Sequence, residues 1–233
     1  MTLNILYEDE EILVVEKPVG VESQSAKSFE PDMVSEVKKH INMISPKSGE
    51  PYVGVIHRLD KPVGGVMVYA KTRGAAESLS KQVSEHQMEK IYQAVVCGKP
   101  VENSGTYVDY LWKDSKNNCS KIVEKGIKGA KPAELHFRVV DSKKMGDEEY
   151  CLVEIRLETG RHHQIRVQMA GHGTPLWGDR KYNPRFNSGP VRGNVALFAC
   201  RLTFFHPITK EKTTYSVKPR GEWFEMFERP EPV

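Results

Sequence analysis

Nowhere in this 233-residue chain is there an apolar run approaching the roughly 20 residues that a membrane helix needs. The start is not a signal or transit peptide either, because Met1 to Glu11 is acidic and alternates apolar with polar residues. Cysteine is scarce. Cys97, Cys119, Cys151 and Cys200 lie far apart and form no C-x-x-C pair, so they read as reduced thiols of a cytosolic protein, not as a disulfide or zinc framework. The chain has no G-x-x-x-x-G-K-[ST] phosphate loop, no G-x-G-x-x-G, no G-x-S-x-G and no H-E-x-x-H. It also lacks internal repeats, low-complexity tracts and any linker, so residues 1–233 read as a single domain. What is present is ordinary for a soluble globular protein: 39% hydrophobic and 28% charged residues, which excludes general disorder.

Charge of one sign is nearly balanced overall, at a net +3, but it is unevenly placed. Residues 1–60 carry 6 basic and 11 acidic side chains, a net −5. Residues 110–132 carry 6 and 2, a net +4, and residues 156–192 carry 7 and 2, a net +5. Such asymmetry fits either a polyanion-binding face or solvated surface loops.

The pattern predicts a mixed α and β chain. Ile5–Tyr7 and Ile12–Val15 read as short strands, and Met33, Val37, Ile41 and Ile44 predict an amphipathic helix from Pro31 to Ile44. Val53–Ile56 and Val66–Ala70 are β-branched runs of buried strands, Arg73–His86 a second helix, and Ile91–Val96 a strand with Tyr92, Ala94 and Val96 on one face. Further strands include Glu134–Val140 and Tyr150–Leu157, followed by a helix from Arg161 to Ala170 and a basic loop from Pro175 to Pro190. Strands at Val195–Phe205 and Lys212–Val217 and a helix at Glu222–Glu228 close the chain. Runs of strands with few intervening helices predict an antiparallel-rich α+β fold.

Two polar islands interrupt these apolar runs. In His57-Arg58-Leu59-Asp60, between two buried strands, Asp60 either caps a turn or is a carboxylate held at the mouth of a sheet. In Gly160-Arg161-His162-His163-Gln164-Ile165-Arg166, no acid appears before His172, which suits a phosphate or carboxylate partner or a solvated basic face. On a helix His162 and His163 point about 100° apart, so they do not readily share a metal.

Together these residues resemble a family. His57-Arg58-Leu59-Asp60 with Gly65 and Ala70-Lys71 resembles the catalytic loop of RluA-type RNA pseudouridine synthases. Gly160 to Val167 with Gly173-Thr174-Pro175-Leu176-Trp177-Gly178-Asp179 resembles a second family segment, and Lys90 to Gly98 the family's tyrosine strand. The opening Ile12 to Pro18 and the late Leu197 to Pro207 also fit, all in family order. The resemblance implies the family's catalytic fold, a mixed, mostly antiparallel sheet flanked by helices with a central RNA-binding cleft. It covers the catalytic domain only, with no N-terminal S4 domain expected.

The implied activity is isomerisation of uridine to pseudouridine in structured RNA, a ribosomal or transfer RNA stem-loop. No redox change or hydrolysis occurs, so no cofactor or metal is expected. The resemblance makes Asp60 the essential carboxylate, Arg166 its partner and Tyr92 the residue that stacks on the target base. It places Arg58 in the space that a flipped base vacates. His57, Lys17, Arg161, His163 and the lysines of 110–132 are the further RNA-binding candidates. The expected protein is a cytoplasmic monomer with no membrane association. Two departures bear on RNA contacts: Val63-Gly64 stands where the family has Thr-Ser, and Gln168 where it has histidine. The alternative is a non-catalytic RNA-binding protein or RNA chaperone. A glycosidase-like hydrolase would want a second carboxylate that neither island supplies.

Overall fold

The computed structural model describes residues 2–25, 31–46, 49–188 and 194–227. The chain divides into two compact units, Met1–Lys90 with Ala199–Lys218, and Ile91–Phe198 with Pro219–Val233.

In the first unit, β1 (Asn4–Glu8) and β2 (Ile12–Lys17) form an antiparallel hairpin. Its acidic turn is closed by Asp9, whose carboxylate accepts the N–H groups of Glu11 and Ile12 at 2.8 Å each. Helix α1 (Met33–Ile44) begins two residues later than predicted, because Asp32 is the N-cap and accepts the N–H of Ser35. Only its first turns are buried, through Met33, Glu36 and Val37; Ile44 is 52% exposed. The short β3 (Gly54–Val55) and the longer β4 (Gly64–Ala70) follow, then α2 (Arg73–Ser84), capped by the Thr72 hydroxyl. β2 pairs antiparallel with β4, with Lys17 opposite Gly65 and Ile12 opposite Ala70. Every residue of both strands is buried, as their continuous β-branched runs predict.

In the second unit, β5 (Glu89–Cys97), β6 (Ser104–Asp114), β7 (Cys119–Val123), β8 (Lys131–Met145) and β9 (Glu148–Leu157) lie in the order β5-β9-β8-β6-β7. The β6–β7, β6–β8 and β8–β9 pairs are antiparallel. Helix α3 spans Gln164–Gly171, not Arg161–Ala170 as predicted. The reason is local: His163 sits in the left-handed region at φ 55°, which a helix cannot include. The chain then returns to the first unit as β10 (Leu197–Phe205), beside β4, and β11 (Lys212–Ser216), and finishes in the second with a single turn, α4 (Glu222–Glu225). Residues 189–193 of the basic loop and Glu228 of the predicted closing helix lie outside the described residues.

The first unit's core joins Ile12 and Val14 of β2, Val66 and Val68 of β4, Ala75 and Leu79 of α2, and Leu202 and Phe204 of β10. At the start of β4, Gly65 has φ 129°, and a Cβ there would lie 2.2 Å from the Ala199 carbonyl oxygen. Only glycine allows that approach. No helix among the described residues is long and apolar enough to cross a membrane.

Candidate active site

The segment joining β3 to β4 carries the first polar island. Leu59 is 6% exposed and anchors it inward, while Arg58 is exposed and Asp60 partly buried. The backbone on both sides of Asp60 is held by the segment after β2. The Ser23 hydroxyl accepts the Leu59 N–H at 3.0 Å and donates to the Leu59 carbonyl at 2.8 Å. The Lys61 carbonyl accepts the Gly20 N–H at 2.8 Å and an ammonium proton of Lys17 at 3.3 Å. A turn follows, with the Val63 N–H on the Asp60 carbonyl at 2.9 Å.

His57 and Lys17 differ from their expected role as RNA contacts. His57 Nε2 accepts the Val68 N–H at 3.2 Å, and burial pushes its pKa down to about 3, with Lys90 adding repulsion. It is a neutral, internal acceptor. Lys17 is fully buried at the end of β2, and its ammonium donates to the carbonyls of Pro18, Val21 and Lys61. Burial lowers its pKa to about 8, against the attraction of Asp60 and Glu22. A side chain with all three protons on backbone oxygens is an internal tie, not a surface cation. It also supplies positive charge near Asp60.

In the second unit, Tyr92 lies on β5 and is 7% exposed. Arg166 on α3 is 5% exposed and forks onto Asp179: Nε to Oδ2 and Nη2 to Oδ1, both 2.7 Å. Its guanidinium also lies 5.2 Å from the Tyr182 ring centroid. Asp179 is fully buried, and its Oδ1 additionally accepts the N–H groups of Lys181 and Tyr182. A planar, two-pronged carboxylate contact fixes the guanidinium plane. Asp179 is the buried partner of Arg166 that the motifs left without a role. The available signal was charge: Glu158 and Asp179 are the two acids in the basic stretch 156–192.

The entry to α3 leaves Arg161 partly exposed and takes His163 inward. Arg161 precedes the helix, and its Nε donates to the Pro132 carbonyl at 2.8 Å. His163 is 9% exposed, with Nδ1 2.8 Å from the Tyr182 hydroxyl, which also accepts the Ser120 N–H at 2.7 Å. His162 and His163 do not diverge by 100°; their rings stack at 3.8 Å, because the left-handed turn at His163 brings them together. Gln164 ties this turn, accepting the Arg161 N–H at 2.9 Å and donating to the Glu134 carbonyl at 3.0 Å.

The two family departures are both internal. Val63 is 3% exposed, Gly64 opens β4, and Gln168 is fully buried with Nε2 on the Asp109 carboxylate at 2.8 Å. None of the three offers a surface for direct RNA contact. Among the described residues, no three His, Cys, Asp or Glu side chains come together as a metal site.

Comparison with known proteins identifies the architecture first. The human protein RNA pseudouridylate synthase domain containing 4 superposes with a TM-score of 0.75 at 22% identity, covering 93% of this chain and 88% of that one. The fold is therefore the α+β pseudouridine synthase fold. Residues 11–171 match the family model described as RNA pseudouridylate synthase. An RNA pseudouridine synthase of Bacillus subtilis is 35% identical over 98% of this chain and 73% of its own. Ribosomal large subunit pseudouridine synthase D of Neisseria meningitidis is 36% identical over 92% of this chain, which spans 58% of that relative. The chain belongs to the RNA pseudouridylate synthase family, the enzymes that isomerise uridine to pseudouridine in RNA.

Proposed function

We propose that Asp60 is the catalytic carboxylate of this enzyme and that Tyr92 and Arg166 complete the catalytic set, acting on ribosomal or transfer RNA. The observation that carries the reading is the grip on the backbone either side of Asp60, by Ser23 at Leu59 and by Gly20 and Lys17 at Lys61. Chemistry at a single atom rewards such fixing, since a carboxylate held in one geometry needs no reorganisation in the reaction.

The target uridine must leave its stack, at a cost of a few kcal/mol. Arg58, exposed on the Asp60 loop, is suited to the vacated space, because its planar group stacks on neighbouring bases. The uracil is then cut from its ribose, turned, and rejoined through carbon. Asp60 can serve by attacking base or sugar, or by taking a sugar proton. The family resemblance gives Tyr92 the stacking position on the base and Arg166 the role of cation for the carboxylate; the Asp179 fork supports this by holding the guanidinium rigid. The name of the Neisseria relative favours ribosomal RNA as the first substrate to test. We further propose a cytoplasmic monomer acting as one catalytic domain. The four cysteines, scattered in the sequence with no C-x-x-C pair, support the location, and the family match across 11–171, which runs through both units, supports the single domain.

The test is pseudouridine mapping on unmodified RNA transcripts incubated with the protein or with Asp60→Asn. Modification by the native chain and a loss beyond about a thousandfold in the variant, more than about 4 kcal/mol, is the expected result. RNA affinity should be retained. Near-normal turnover by Asp60→Asn overturns the assignment, release of free base shows a hydrolase, and binding without change shows an RNA-binding module.

A further inference from the structure

We infer that Ser23 is a positioning residue for the reaction, setting the place of Asp60 through the backbone of Leu59. The inference rests on Asp60 being the catalytic carboxylate. Ser23 is 3% exposed, and its hydroxyl meets both polar groups of a single residue, accepting from the Leu59 N–H and donating to the Leu59 carbonyl. Contact with both groups restrains the two peptide planes that flank Leu59, and so the direction in which the chain enters Asp60. The Met67 sulfur, at 3.4 Å, is the weaker alternative acceptor for the same proton.

Ser23 is itself anchored from two sides. Its carbonyl accepts the hydroxyl of the fully buried Tyr69 at 3.2 Å. Its neighbours are tied to the N-terminus of α1: Glu22 bridges Asp32, the Met33 N–H bonds the Glu22 carbonyl at 2.9 Å, and the Asp32 carboxylate takes the Ser25 N–H at 2.5 Å. A path from a capped helix end to the Leu59 side of the reactive loop therefore runs through this hydroxyl. Alanine at position 23 leaves the Leu59 N–H and carbonyl without that partner and frees the loop to drift. Displacements of about an ångström can cost on the order of a hundredfold in rate.

Single-turnover isomerisation of an unmodified ribosomal RNA transcript, at saturating enzyme and well below the melting temperature, measures this. Ser23→Ala should slow the first-order step by about tenfold or more while RNA Kd stays within about threefold. Leu79→Ala opens a cavity in the core of the same unit and leaves the Ser23–Leu59 hydrogen bonds in place, so it should lower the melting temperature and leave the rate within about threefold. Should the alanine variant not fold, Ser23→Cys preserves the shape with a weaker donor and should still slow the step by about threefold. A native rate in Ser23→Ala beside an inactive Asp60→Asn overturns the inference alone, as does equal slowing by Leu79→Ala. Activity retained in Asp60→Asn removes the reading on which it rests.

Discussion

At the scale of single residues, Lys17, His57 and His163 read as RNA contacts and Asp179 reads as having no role, yet all four are tied into the fold. Asp179 is the most consequential. It and Arg166 are 0% and 6% exposed at their side chains, so each is the other's compensation for lost water. Asp179→Asn turns an acceptor into an amide donor facing a guanidinium. We expect about 3 kcal/mol of destabilisation in urea titrations, together with a fall in turnover, because the guanidinium loses its fixed plane. His57 gives a pH signature. The folded chain resists its protonation down to about pH 3, whereas the unfolded chain takes the proton near 6.5. Between those values the unfolded state binds more protons, so stability falls as pH falls. Melting at pH 7 and pH 5 should show a loss on the order of 1–2 kcal/mol, which His57→Gln reduces by keeping an acceptor for the Val68 N–H and removing the titration.

At the scale of elements, Gly65 makes a sharp case. Its φ of 129° and the 2.2 Å approach of the Ala199 carbonyl oppose any side chain, and backbone lies on both sides of the clash. Gly65→Ala should cost about 3–5 kcal/mol from strain and overpacking combined, read by thermal melting. Gly171 provides a contrast, since the Cβ it lacks would meet only the Cδ1 end of Ile122 on β7. Most elements were legible from periodicity, because β2, β4 and β5 are β-branched and apolar enough to leave one reading. Less legible were residues whose environment is set by distant chain. Lys17 reads as a surface cation until Val21 and Lys61 are seen to surround it, and the α3 start moves because a left-handed His163 is invisible to hydrophobic spacing. The polar island around Asp60 is legible in the sequence; the grip of Ser23 on Leu59, 36 residues away, is not.

At the scale of the whole molecule, charge is the property that bears on substrate. The six lysines of 110–132 are Lys113, Lys116, Lys121, Lys125, Lys128 and Lys131, and all six are exposed along β6, β7, β8 and their connections. The 156–192 stretch contributes less than its sequence promised, since Arg166 is buried on Asp179 and Lys181 donates to the Asn118 carbonyl. RNA affinity should therefore fall linearly on a log–log plot against salt, by about 0.7 for each phosphate contacted on a single strand. Replacing Lys121, Lys125 and Lys128 with glutamine should reduce the slope by about 2. A flat dependence in titrations at several salt concentrations would place these lysines away from the RNA.

The return of the chain to its first unit also governs its birth on the ribosome. β2 and β4 are buried throughout, yet β10, which lies beside β4, belongs to a segment beginning only at Ala199. While the roughly hundred intervening residues are synthesised, at about 5–20 residues per second, the β10 side of β4 is covered only at its Tyr69–Ala70 end, by β3, for several seconds to tens of seconds. A nascent chain in that interval presents the stretch around Val66 and Val68 as an open strand template. The strands β6 to β9 of the second unit, encoded between the two halves of the first, can pair with one another during the wait, so the order of translation lets that part of the inserted sheet form before β10 completes the first unit.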